Sequence, residues 1–230
     1  MTELDFVLLT VYFLCVTYVL YQMVTSFNDE FTIWLDQAHL DEQLETLNLK
    51  DTIGISFKFE NRYEFDKLKK LQIRIANKSK EQAIYVDWDY CAMTDQYEPP
   101  RSRRITRGVA GNPTDVFPRQ AFSAIAPGKT LMEDIFAEDM LSRKDGNSAL
   151  QGDATVLDFK KPAKIAPAPK KKLYQQFMNG EALFKFDLYL VLRFMGFGTS
   201  AGGNQVSIVC RLNVRKLDWT AGLPWNPKKP

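Results

Sequence analysis

Phe184-Lys185-Phe186-Asp187-Leu188-Tyr189-Leu190-Val191-Leu192-Arg193-Phe194 is the stretch on which the fold turns. Its phenylalanines and leucines fall on the even positions, and a period of two puts them on one face of an extended strand. Val206, Ile208, Cys210, Leu212 and Val214 repeat the pattern after the glycine-rich segment from Gly196 to Asn204. Two alternating runs around such a turn predict a long β-hairpin.

Working outward from this pair, Ile53, Ile55, Phe57 and Phe59 alternate in the same way, as do Leu71, Ile73 and Ile75. Asn77-Lys78-Ser79-Lys80 supplies a turn, and Ile84, Val86, Trp88 and Tyr90 resume the alternation, so these two runs are expected to form a second hairpin. Further strands are expected at 103–107, at 120–125 and, after the Pro127-Gly128 turn, at 131–136. A series of half-buried strands separated by turns predicts an antiparallel β-sandwich over residues 51–216, not a parallel α/β sheet. Parity places Cys91 on the outer face with Tyr85, Asp87 and Asp89, and Cys210 on the core face, so the two thiols are not expected to meet.

Before the sandwich, Phe6 to Phe27 contains no Lys, Arg, Asp or Glu. Its length matches the hydrocarbon core of a bilayer, which predicts a transmembrane anchor over residues 1–27. Thr10, Leu14, Thr17 and Tyr21 recur at helical spacing and form a candidate face for another membrane helix. Residues 28–50 read as an amphipathic helix, with Asn28 or Asp29 as its cap and Ile33, Leu40, Leu44 and Leu47 on one side. Phe27, Phe31 and Trp34 would then supply interfacial aromatic rings. No basic residue precedes Lys50; an acidic, easily crossed amino terminus and unpaired cysteines set the expected location of the domain on the cytoplasmic side.

Composition narrows the function classes. Lys and Arg number 30 against 28 Asp and Glu, a net charge of +2 that carries no whole-chain signal for nucleic acid. Cys15, Cys91 and Cys210 are too far apart and odd in number for a disulfide scaffold or a zinc set. A single histidine, His39, leaves no His-based catalytic arrangement to assemble. Asp87, Asp89, Asp95 and Glu98 lack the glycine and the terminal glutamate of a calcium loop and read as a solvated face. Gly196 to Gly203 lies between two strands, not between a strand and a helix, which argues against a phosphate loop. No catalytic residue, cofactor or metal site is expected.

What remains are contact segments. Arg101, Arg103, Arg104 and Arg107, with Lys170, Lys171 and Lys172, form basic clusters without interleaved aromatic rings, which suits anionic headgroups better than nucleic acid. Residues 142–179 are broken by Gly and Pro and are expected to form an extended arm inserted into the sandwich. Residues 217–230 form a Pro/Trp tail with Trp219 and Trp225 as contact residues.

Leu71 to Ser79 followed by Ile84-Tyr85-Val86-Asp87-Trp88, and later Ile125-Ala126-Pro127-Gly128-Lys129, resembles the immunoglobulin-like accessory sandwiches of the LEA14 and FxLYD sort, across about a third of the chain. The FxLYD signature itself is absent; Phe186-Asp187-Leu188-Tyr189 is a loose echo of it. The resemblance implies an immunoglobulin-like sandwich and an adapter-like role, without catalytic residues. The whole reading is a single-pass membrane protein: a non-enzymatic accessory subunit or assembly factor whose partners are the lipid bilayer and the integral subunits of a larger complex. An anchored binding module for a ligand, an anionic lipid or a cation is the alternative.

Overall fold

The computed structural model describes residues 3–26, 30–95, 102–108, 120–142, 151–152, 155–157, 168–195 and 204–218. In chain order they form helix α1 (Glu3–Ser26), strand β1 (Glu30–Leu35), helix α2 (Gln37–Thr46), β2 (Ile53–Lys58), β3 (Tyr63–Glu64), β4 (Leu71–Asn77) and β5 (Ala83–Val86). A 3-10 turn (Trp88–Tyr90) leads to β6 (Ala92–Asp95), β7 (Ser102–Arg107), β8 (Ser123–Ile125), β9 (Thr130–Ala137), β10 (Leu141–Ser142) and β11 (Gln151–Gly152). Helix α3 (Ala168–Met178) precedes the long strands β12 (Phe184–Met195) and β13 (Asn204–Lys216).

The fold is mainly β and antiparallel. The hairpin of β12 and β13 is the axis: Phe184 faces Val214, Leu188 faces Cys210 and Phe194 faces Asn204. β13 also pairs with β1, and β12 with β6 along one half and β5 along the other. On the other side of the molecule β2, β4 and β9 lie in register, so that Ile55, Ile75 and Leu131 line up across three strands. Strand β7 joins the two parts: Ser102 to Arg104 pair with β6, while Ile105 to Arg107 pair with β9. The sheet curls at this strand, and the two inner faces close into one sandwich-like core that includes Ile73, Ile75, Leu188, Leu190, Ile208 and Leu212. Each side chain of this size removed from water contributes about 1.5–3 kcal/mol, against the entropy of ordering the chain.

Several expectations change. The predicted amphipathic helix over 28–50 is replaced by β1, the link at Asp36 and a shorter α2. Phe31 and Ile33 are buried at strand spacing against β13, and the Asp36 carboxylate, not Asn28 or Asp29, accepts the His39 backbone N–H. Apolar residues at 31, 33 and 35 satisfy a period of two as well as they begin a helical one, and pairing with β13 decides between them. The expected hairpin of the Leu71 and Ile84 runs is not formed either. β4 pairs with β2 and β9, whereas β5 pairs with β12 and β8, so the Asn77 turn carries the chain from one part of the sheet to the other.

The 142–179 segment is not an extended arm where it is described. Val156 and Leu157 are buried, the Val156 N–H donates to the Leu68 carbonyl, and α3 sinks Phe177 fully into the core against Phe65 and Phe184. Gly180, at φ +76, ends that helix with its N–H on the Phe177 carbonyl, a left-handed conformation that suits glycine at this position. Helix propensity in Lys170–Met178 and the burial of one aromatic ring outweigh the prolines that precede them.

Candidate functional site

Helix α1 turns its apolar side chains outward. Phe6, Leu14 and Leu20 are each more than half exposed, and Leu14 reaches 65 %. Of the candidate partner face, Leu14, Thr17 and Tyr21 lie on the exposed surface, and the Thr10 hydroxyl donates back to the Phe6 carbonyl at 2.8 Å. That bond satisfies the hydroxyl within its own helix. Among the described residues no helix is long and apolar enough to cross a membrane; the described side chains of α1 run from Asp5 to Tyr21, with Met23.

The three predicted interfacial aromatics separate. Phe31 is a core residue, stacked on Tyr63 with ring centroids 5.7 Å apart. Trp34 lies under the Arg215 guanidinium, 5.3 Å from ring centroid to Cζ, an attraction of charge for the ring face. Phe27 lies outside the described residues, as do Arg101, Trp219 and Trp225 and the side chain of Lys170. Lys171 and Lys172 are exposed on α3.

The described arginines of the predicted basic patch engage groups of the same domain. Arg104 and Arg107 reach the place where the strand formed by β5 and β6 is interrupted, while Arg103 turns to Val156 and Asp139. Between these strands the 3-10 turn interrupts the ladder with β12, and one backbone bond and the Cys91 side chain meet Val191 in its place. The Asp87 N–H donates to the Val191 carbonyl at 2.9 Å, and the Val191 N–H donates to Cys91 Sγ at 3.2 Å. The Cys91 thiol donates in turn to the Asp87 carbonyl at 3.1 Å. Trp88 is fully buried and its Nε1–H donates to Ser123 Oγ at 2.9 Å.

Charges ring this interruption. Arg193 reaches the buried Asp87 carboxylate at 2.5 Å, and Arg104 holds Asp89 at 2.5 Å with Glu138 at 3.6 Å. Arg103 donates to the Val156 carbonyl at 3.0 Å and lies 3.7 Å from Asp139. Arg107 donates to Ser123 Oγ and to the Ala121 carbonyl, each at 3.0 Å, and stands over the Trp88 ring. Of the acidic residues expected on a solvated face, Asp87 and Asp89 are therefore ion-pair partners, and Asp87 is 2 % exposed; Glu98 and the side chain of Asp95 lie outside the described residues. Opposite charges on nearby stretches, Asp87 and Asp89 against the 101–107 arginines, were the sequence signal for these pairs. Arg193 carried no such signal, because its contact with Asp87 depends on the β5–β12 register.

Cys91 is buried too, which corrects the parity argument: the 3-10 turn changes which face of the strand the residues after it occupy. Burial pushes its thiol up from an ordinary 9.0 to about 12, opposed in part by the Val191 N–H. Burial likewise pushes Cys210 up, and the charge of Cys91 and that of Asp187 add to the rise. Both thiols are free and held in the protonated, poorly nucleophilic form.

Phe57, Phe59, Gln72, Arg74 and Met132 line an open depression of about 390 Å³. Phe57 and Phe59 stack with planes 3° apart, and Arg74 points its Nε and Nη2 at Met132 Sδ. Phe57 and Phe59 share the face of β2 that packs against the core, with Ile53 and Ile55, so Ser56, Lys58, Gln72, Arg74 and Met132 supply the outer side of the depression. Among the described residues no group of three or more His, Cys, Asp and Glu could hold a metal ion. The His39 backbone N–H donates to the Asp36 carboxylate, which caps the start of α2. No protein-family model matches this chain, and a search of curated proteins returns no match.

Proposed function

We propose that this chain is a non-enzymatic accessory subunit or assembly factor of a larger membrane protein complex, anchored by a single pass at its amino-terminal end. The observation that carries the reading is the exposure of large apolar side chains along α1, from Phe6 to Met23. An apolar surface of that extent calls for a lipid or protein covering. The uncharged run in the sequence, Phe6 to Phe27, is longer than the part of α1 whose side chains are described, and it has the length of a membrane span. The resemblance to immunoglobulin-like LEA14 and FxLYD sandwiches supports an adapter role for the domain. The cytoplasm is the proposed side, in keeping with three free thiols.

Purification of the full chain in mild detergent, followed by mass spectrometry, tests this function. Integral membrane proteins should co-purify in fixed proportion, and the chain should resist carbonate extraction. A protein released by carbonate and recovered alone overturns the reading. The depression beside Phe57 and Arg74 favours a second reading, an anchored module for an anionic ligand. A ligand bound only to the folded domain raises its melting temperature, so a panel of anionic lipid headgroups and metabolites that leaves it unmoved counts against this version.

A further inference from the structure

We propose that the free edge of β2 takes up an extended segment of a partner protein in which acidic and apolar residues alternate. This site belongs to the domain and does not depend on what covers α1. Among the described residues β2 stands at the end of its sheet, with β4 as its strand neighbour. The Lys78 N–H donates to the Thr52 carbonyl at 2.8 Å, which makes Thr52 and Lys78 a hydrogen-bonded pair, and such pairs recur at every second residue of an antiparallel ladder. Gly54, Ser56 and Lys58 therefore turn their peptide groups to Ala76, Arg74 and Gln72 of β4, and Ile55 and Phe57 turn theirs to the open side. The Ile53 N–H faces that side too and is taken by the Leu49 carbonyl at 2.9 Å. Beyond it, no backbone group of the described residues bonds Ile55 or Phe57 there. Such an edge is a template for another strand.

The two faces beside the edge select its occupant. Outward from β2 and β4 stand Lys58, Arg74 and Lys78, none with a carboxylate partner among the described residues. Arg74 meets the thioether of Met132, a weak acceptor, and Lys78 Nζ donates to the Lys50 carbonyl at 3.3 Å. Asp134, the carboxylate on this face, is already held by Lys70 at 2.6 Å and Gln72 at 3.1 Å. On the inner side Phe57 and Phe59 are only half-buried. An added antiparallel strand places its residues opposite Ile55 and Phe57 on the inner side and those opposite Ser56 and Lys58 beside the cations. Apolar residues suit the first positions and Asp or Glu the second. A second copy of β2 would bring its own Lys58 and Lys78 to the same cations, and like charges repel.

The test titrates the full chain, purified in mild detergent, with a fluorescein-labelled peptide of alternating Glu and Val, and reads binding by anisotropy. N-methylation of the valine amides, which face β2 in this pairing, should abolish binding, whereas N-methylation of the glutamate amides should leave it intact. Lys58→Glu/Arg74→Glu changes two exposed side chains and should weaken binding by about tenfold. Undiminished binding of the valine-methylated peptide overturns the proposal, because charge alone then holds the peptide. Absence of binding by the unmethylated peptide overturns it as well. A Ser56→Cys chain that forms a disulfide with a second copy while ignoring the peptide gives the edge to that copy, and also overturns it.

Discussion

The Asp87 carboxylate lies 2.5 Å from the Arg193 guanidinium, joining the interruption between β5 and β6 to the strand it has left. Asp87 is almost wholly removed from water, its side chain 3 % exposed against 28 % for Arg193, so the pair is a buried anion held by a partly solvated cation. Such a pair adds little over a well-packed apolar substitute, but removing one member strands the other. Arg193→Met should therefore lower stability by about 3 kcal/mol, while Asp87→Asn combined with Arg193→Met should cost less than the sum of the single changes. Urea midpoints for the four proteins of this cycle measure the coupling; strict additivity would mean that the contact has no energetic weight.

Asn77 ends β4 with its side chain buried, donating to the carbonyls of Gln82 at 2.8 Å and Ile125 at 2.9 Å and accepting the Ser79 N–H at 3.0 Å. It bonds together the turn that carries the chain across the sheet. Asn77→Ala should cost about 2 kcal/mol, because the buried Ile125 carbonyl and the part-buried Gln82 carbonyl lose their donor. Thermal denaturation reports the loss, and an unchanged melting temperature would show that water replaces the amide.

Gln43 of α2 acts in place of a peptide group beside β13. Its amide donates to the Val209 carbonyl at 2.8 Å and accepts the Val209 N–H at 3.0 Å, where the β1 pairing has ended. Gln43→Leu should destabilise the protein by about 1–2 kcal/mol by leaving both groups unpaired. Amide hydrogen exchange should rise at Val209 more than at Arg211, whose N–H is not held by Gln43.

The buried thiols make stability depend on alkaline pH. In the folded protein Cys91 ionises only near pH 12, against 9.0 for an ordinary thiol, and Cys210 is pushed up in the same direction. Below pH 9 both states carry the protons and stability is flat with respect to these groups. As pH rises from about 9 towards 12 the unfolded chain loses protons that the folded chain retains, so stability falls, by about 1.4 kcal/mol per pH unit for each fully coupled thiol. Cys91→Ala and Cys210→Ala should each flatten part of that decline in denaturant titrations between pH 8 and pH 11. Neither native thiol should react with maleimide at pH 7 until the domain unfolds.

Period-two patterning made the strands legible. Residues 53–58, 71–77, 184–194 and 206–214 are strands where alternation placed them, because a half-buried sheet writes its two faces directly into the order of side chains. The Phe6 to Phe27 run was equally plain as an uncharged segment. What alternation cannot encode is partnership. Whether β4 would pair with β5 or with β2 and β9, and whether Phe31 to Leu35 would be strand or helix, depended on which apolar face lay nearby after the chain had closed. The same holds at Asp87, Cys91 and Arg193: one 3-10 turn after Asp87 changed the parity of the strand that continues into β6, and Asp87, read as part of a wet surface, became a buried member of a charge pair. The sequence by itself determined that the strictly alternating segments are extended and that the Phe6 to Phe27 run is uncharged, since those follow from local period and composition. Only the tertiary structure decided which strands meet and which charges pair, because those energies come from contacts between residues far apart in the chain.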